Sequence, residues 1–217
     1  MTDKHRRFLG PVVEMRKLHD SAEQRIVHSA EMLDRKSLAS VGDTTGERLT
    51  ALLTETKAHT PEELAANVAR IGELLGRFAL YVPARFTDDP AEQAKYWAVR
   101  SGIFPAVGGS RPAGTTCLSE DVAFHIEDLP RATAELQALI ARHGYDACIY
   151  GHALEDNYHF IINQSFSPPA EVARYEALMN DVAELVSAGT TARSKPSMAR
   201  GATWRPSSAA SRATTPW

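Results

Sequence analysis

No apolar run reaches the length of about 18 residues that a membrane-spanning helix needs, so none is expected in this 217-residue chain. The N-terminus, MTDKHRRFLG, has basic residues but no apolar centre, so no secretory signal is expected. Cysteine is scarce. Cys117 and Cys148 form neither a CxxC motif nor a disulfide framework, and they fit a reducing compartment. We therefore expect a cytoplasmic protein, associated with a membrane only through a partner. Glycine-rich phosphate loops are missing as well. Neither G-x-G-x-x-G nor G-x-x-x-x-G-K-[ST] occurs, and Gly108-Gly109 alone is too short. A formal net charge of −3 excludes strong nucleic-acid binding as the default.

Acidic residues are absent from Ser187 to Trp217, where Arg193, Lys195, Arg200, Arg205 and Arg212 stand. The remainder of the chain is correspondingly acidic. The segment is rich in Ser, Thr, Ala and Pro and has no helix or strand period, so residues 187–217 are expected to be a disordered tail.

What is present reads as alternating helices and strands. Ser21-Ala22-Glu23-Gln24 has capping-box form, and Ile26, Ala30 and Leu33 follow at helical spacing. Residues 38–48 read as a loop, and Leu49–Thr56 as a buried strand. Thr60-Pro61-Glu62-Glu63 opens a helix. Leu80–Val82 reads as a strand. Asp89-Pro90-Ala91-Glu92 opens a second helix carrying Trp97 and Arg100, and residues 105–116 read as a loop. Leu118–Ile126 is a strand, Asp128–His143 a helix closed by Gly144, and Ala147–Tyr150 and Tyr158–Asn163 two strands close together. Ser167-Pro168 opens a last helix. The final strand pair must be antiparallel. The expected fold is α+β, a ferredoxin-like antiparallel sheet of split β-α-β form with helices on one face. The expected divisions are an N-terminal helical segment and loop (1–48), a main domain (49–186) and the tail (187–217).

One segment carries chemistry. Gly151 to Phe160 (GHALEDNYHF) joins those two strands. If Glu155 and Asp156 are the two turn residues, Leu154 pairs with Asn157, Ala153 with Tyr158, and His152 with His159. Opposed Cβ atoms then lie about 4.5–5.5 Å apart, with Asn157 on the same face. Two imidazoles so placed could bind one metal ion, or present one ring to a substrate and one to a carboxylate. The plainer reading is two half-exposed histidines on a hairpin. Arg100 could grip a carboxylate with two hydrogen bonds or stand as a solvated surface residue. His125 reads as structural. Neither cysteine has the basic neighbour of a nucleophile.

Several segments together resemble one family, the C-terminal cap domain of FAD-linked oxidases, in its D-lactate dehydrogenase and glycolate oxidase branch of the vanillyl-alcohol-oxidase superfamily. They are AEMLDRKSL at 30–38, DPAEQAKYWAVRSGIFPAVG at 89–108, EDVAFHIEDLP at 120–130 and GHALEDNYHF at 151–160, and the resemblance covers residues 28–186. It implies that a separate domain binds FAD while the cap shapes the substrate site. It places His152 and His159 as catalytic residues or ligands of a divalent metal such as zinc, and Arg100 and Asn157 at the substrate. Asp156 stands where the family usually has Gly, Tyr158 where Leu is common, and His125 where Pro is usual.

The family's later Glu-His-Gly-Thr-Gly-Arg-Asn segment, whose Glu can complete a metal site, does not occur in the tail. Read from the last base of the Gly189 codon, codons for Thr190 to Ser208 can spell it, so the tail is expected to be frameshifted. The expected function is the substrate cap of an FAD-dependent D-2-hydroxyacid dehydrogenase, lacking the flavin domain and inactive alone. The alternative is a stand-alone binding module or subunit that pairs with a separate flavin-binding subunit.

Overall fold

The computed structural model describes residues 3–19, 25–42 and 50–191. In chain order these form α1 (Asp3–His19), β1 (Ser29–Leu33), α2 (Arg35–Ser40), β2 (Ala51–Glu55), α3 (Pro61–Leu75), α4 (Pro90–Gly109), β3 (Thr116–Ala123), α5 (Leu129–Arg142), β4 (Cys148–His152), a 3-10 turn (Ala153–Glu155), β5 (Asn157–Gln164) and α6 (Pro169–Thr191). Local signals start several of them. Thr60 accepts a hydrogen bond from the Glu63 amide at 3.2 Å with Pro61 in the first turn of α3. Asp89 does the same for the Ala91 amide at 2.9 Å at the start of α4. Gly144, at φ 74°, follows the end of α5 in the left-handed region that glycine adopts without strain.

The strands make one sheet in the order β2-β1-β4-β5-β3, and every neighbouring pair is antiparallel. β3 and β4 both run antiparallel to β5, which lies between them, and α5 connects them. That is the split β-α-β unit expected from the sequence, in the expected α+β class.

The larger core lies between the sheet and α1, α3, α5 and α6. It includes Val12, Met15, Met32, Ile71, Leu129, Leu136, Ile149, Tyr158, Phe160, Ile162 and Leu178. A smaller cluster of Leu33, Leu38, Ile103, Cys148, Tyr150 and Ile161 seats α2 and α4 on the opposite face. The main helical layer covers one face, as expected, and these two helices add a second layer.

Several local expectations change. Residues 29–33 are a strand, not part of a helix. β1 is central, with Ala30 and Met32 in one core and Leu33 in the other. A strand buried on both faces has no polar alternation, and the helical spacing of Ile26, Ala30 and Leu33 misleads. The capping residues Ser21–Gln24 lie outside the described residues. Leu38 to Ser40 belong to α2, which Asp34 caps by accepting from the Ser37 amide at 2.8 Å. Leu80–Val82 pairs with no strand, and Tyr81 is 73% exposed. α4 continues through Pro105 to Gly109, so only 110–115 remain a loop. α1 had no sequence signal that we read. α6 runs through Thr191, five residues into the expected tail. The rest of that tail, with all of the segment expected to be frameshifted beyond Thr191, lies outside the described residues. No described helix is long and apolar enough to cross a membrane.

Candidate functional site

The hairpin register differs from the one expected. Tyr150, not His152, stands opposite His159, and His152 instead pairs with Glu31 of β1. Two residues cause this. Asp156 adopts φ 62°, so Ala153–Asp156 form a longer turn than the two-residue one expected. Gly151 has φ 148°, and a Cβ there would lie 2.8 Å from the Asn157 carbonyl oxygen. Only glycine lets β4 cross so close to the start of β5.

The two imidazoles still meet, across a diagonal, with ring centroids 5.8 Å apart and edge to face. Each is held through Nδ1 by a carboxylate. His152 Nδ1 lies 2.5 Å from Glu31 Oε1, and His159 Nδ1 contacts Asp121, its register partner on β3. The two acids differ in setting, since the Glu31 side chain is 3% exposed and that of Asp121 is 50% exposed.

Arg100 reaches this group from α4. Its Nε donates to Glu31 Oε2 at 3.1 Å, Nη2 lies 3.5 Å from His152 Nε2, and the guanidinium stands 5.3 Å from the centre of the Tyr150 ring. Tyr150 in turn packs against His159 at 5.3 Å between ring centres. Burial raises the Tyr150 phenol above its ordinary pKa, against the pull of Arg100, so it stays neutral. Ile103, one turn beyond Arg100 and fully buried, anchors the helix to the sheet.

The structure thus brings Arg100, His152 and His159 together on the face seating α4. Asn157 shares that face by its period-two relation to His159, but no hydrogen bond joins its side chain to the cluster among the described residues. His125 stands apart, beyond the end of β3. Glu31 is the residue that sequence reasoning missed. Its signal was an acid within the strand AEML, flanked by residues buried on both sides.

Among the described residues, no group of three or more His, Cys, Asp or Glu side chains is placed to hold a metal ion. Arg100 also stands at His152 Nε2, the nitrogen a metal would need. A divalent ion at that nitrogen would meet a guanidinium charge, so the cluster does not fit one. The described residues likewise offer no glycine-rich turn for the flavin pyrophosphate.

Comparison with known proteins places the fold. Across 84% of its length the chain is similar to p-cresol methylhydroxylase solved with substrate bound, at a TM-score of 0.55 and 14% identity. Across 87% it is similar to 4-ethylphenol oxidase from Gulosibacter chungangensis in its isoeugenol complex, at 0.50 and 12%. The chain spans only 41% and 42% of those two proteins. No curated protein sequence matches it. The family model for FAD linked oxidases, C-terminal domain, matches residues 15–190, and the chain belongs to that family.

Proposed function

We propose that this chain is the substrate-binding cap of an FAD-dependent dehydrogenase of D-2-hydroxy acids, working against a flavin held by a separate domain or subunit. The observation that carries this reading is the position of Arg100. Its Nε is committed to buried Glu31, which leaves the other guanidinium edge for a ligand carboxylate. His152, whose Nε2 lies 3.5 Å from Arg100 Nη2, stands beside it, and the His159 ring lies 5.8 Å from that of His152. An α-hydroxy acid presents a carboxylate and a hydroxyl on adjacent carbons.

In this reading Arg100 binds and orients the carboxylate, and an imidazole takes the hydroxyl proton. Asn157 lies on the same face as a further polar contact. The flavin supplies the acceptor for the hydride leaving the α-carbon. Neutral Tyr150 closes the floor of the site under Arg100. Trp97 and Phe104 of α4, both exposed, offer apolar side chains for the flavin-bearing partner to cover.

The structural neighbours favour a second reading, in which the ligand is a phenol. The two are separated by titrating the full chain, followed by amide and imidazole NMR, with D-lactate, glycolate and p-cresol. The hydroxy acids should shift the His152 and His159 resonances, and Arg100→Gln should weaken that binding about tenfold or more. Shifts with p-cresol and none with either acid would overturn the hydroxy-acid reading.

A further inference from the structure

We infer that Glu31 is a positioning residue that fixes His152 in the tautomer with Nδ1 protonated and Nε2 bare. This rests on the site reading above only for its consequence, not for its geometry. The Glu31 carboxylate is almost fully buried and has two oxygens. Oε2 accepts from Arg100 Nε at 3.1 Å, and Oε1 lies 2.5 Å from His152 Nδ1. A carboxylate only accepts, so Nδ1 must carry the hydrogen. The other ring nitrogen gives the same answer independently. Arg100 Nη2 stands 3.5 Å from Nε2, and a guanidinium only donates. A hydrogen on Nε2 would set two donors against each other, so Nε2 keeps its lone pair.

Free histidine prefers the opposite tautomer, with the hydrogen on Nε2. Here β1 reverses that preference through one side chain. The result is a bare nitrogen next to the guanidinium edge assigned to the substrate carboxylate. A hydroxyl on the carbon beside that carboxylate can give its proton to Nε2. The O–H bond breaks, an N–H bond forms, and the resulting imidazolium faces the Glu31 carboxylate, which balances its charge. His159 Nδ1 likewise faces a carboxylate, but Asp121 is half-exposed and no donor among the described residues stands at its other nitrogen, so that ring is held by one contact rather than two.

Glutamine at position 31 has the same shape but only one acceptor atom. Arg100 and His152 face different oxygens of Glu31, so in that seat the amide oxygen meets only one of them and the amide hydrogens face the other donor. The test is long-range proton–nitrogen NMR of the histidine-labelled full chain above the imidazole titration range, with His152 assigned by the loss of its signals in His152→Gln. His152 in the native chain should give the pattern of a protonated Nδ1 and a bare Nε2. In Glu31→Gln that pattern should move to the Nε2-protonated form, while His159 stays as it was. Arg100→Gln keeps Glu31 and should leave the His152 tautomer unchanged, which tests the assignment even if Glu31→Gln does not fold. A native His152 protonated on Nε2, a tautomer unmoved by Glu31→Gln, or one lost in Arg100→Gln would each overturn the inference. If the tautomer behaves as stated and no hydroxy acid binds, the positioning role stands and the substrate reading falls.

Discussion

On one face of the sheet, α1, α3, α5 and α6 bury a continuous apolar layer in which Leu136, Phe160 and Ile162 are fully inaccessible. On the other, α2 and α4 rest on a cluster of six buried residues, and beyond it the same face carries Glu31, Arg100, Asp121, His152 and His159. The contrast divides the labour. One face supplies the stability that lets the other hold buried charge, whose desolvation opposes folding. β5 shows the division within one strand, since Tyr158, Phe160 and Ile162 enter the large core while His159 turns to the site.

The contrast can be broken from either side. Leu136→Ala, in the large core, should cost about 2–5 kcal/mol in chemical denaturation. It should leave the imidazole resonances of the remaining folded protein in place. A loss below about 1 kcal/mol would mean that this face is not the stabilising one.

Ile103→Ala, in the small cluster, should cost less, at the lower end near ~2 kcal/mol, because half-exposed neighbours can close on the space. Its second effect should be larger. With α4 loosened, Arg100 loses its fixed seat, and binding of a D-2-hydroxy acid should fall at least as far as stability. Unchanged affinity would separate α4 docking from the site.

Cysteine reactivity reads the small cluster directly. Burial pushes the Cys148 thiol up to about 12, with Asp34 adding to it, whereas Cys117 is half-buried with its pKa raised mainly by burial. At pH 8 iodoacetamide should label Cys117 first, and Cys148 only as α2 and α4 open. Mass spectrometry of partially labelled protein checks the order. Ile103→Ala should speed Cys148 labelling more than Leu136→Ala does, when rates are compared at equal global stability.

The smallest effect should come from Asp156→Gly. Glycine relieves a left-handed aspartate, worth about 1 kcal/mol. It also removes a carboxylate 3.5 Å from Arg16, in a pair whose side chains are 28% and 27% exposed and whose worth is of the same small order. The two should nearly cancel, and the thermal midpoint should move by no more than a few degrees.

The sequence revealed elements whose signals are local. α3 and α4 begin at a capping residue followed by proline, and α5 shows an apolar stripe closed by Gly144. The hairpin histidines and Arg100 were legible as residue types at a spacing. Two things were not. β1 lies between β2 and β4 and is buried on both faces, so it lost the alternation that marks a strand. The hairpin register was set by Gly151 passing against the chain of β5, a contact in space that no local pattern encodes. Both gaps hid Glu31, whose role depends on β1 being a strand and on His152 lying beside it rather than opposite His159.

The pairing of β1 with β4 joins residues 121 apart in the chain, Glu31 to His152. During vectorial synthesis β1 and β2 can pair early, but the other edge of β1 must wait until β4 has emerged. Throughout that interval a strand with apolar side chains on both faces presents unpaired amides and carbonyls, the condition that invites pairing with a foreign strand. Loop closure over such a distance is slow to nucleate. The same bond that orders the site is therefore among the last to form, and the nascent chain is most prone to aggregation until its chemistry is assembled.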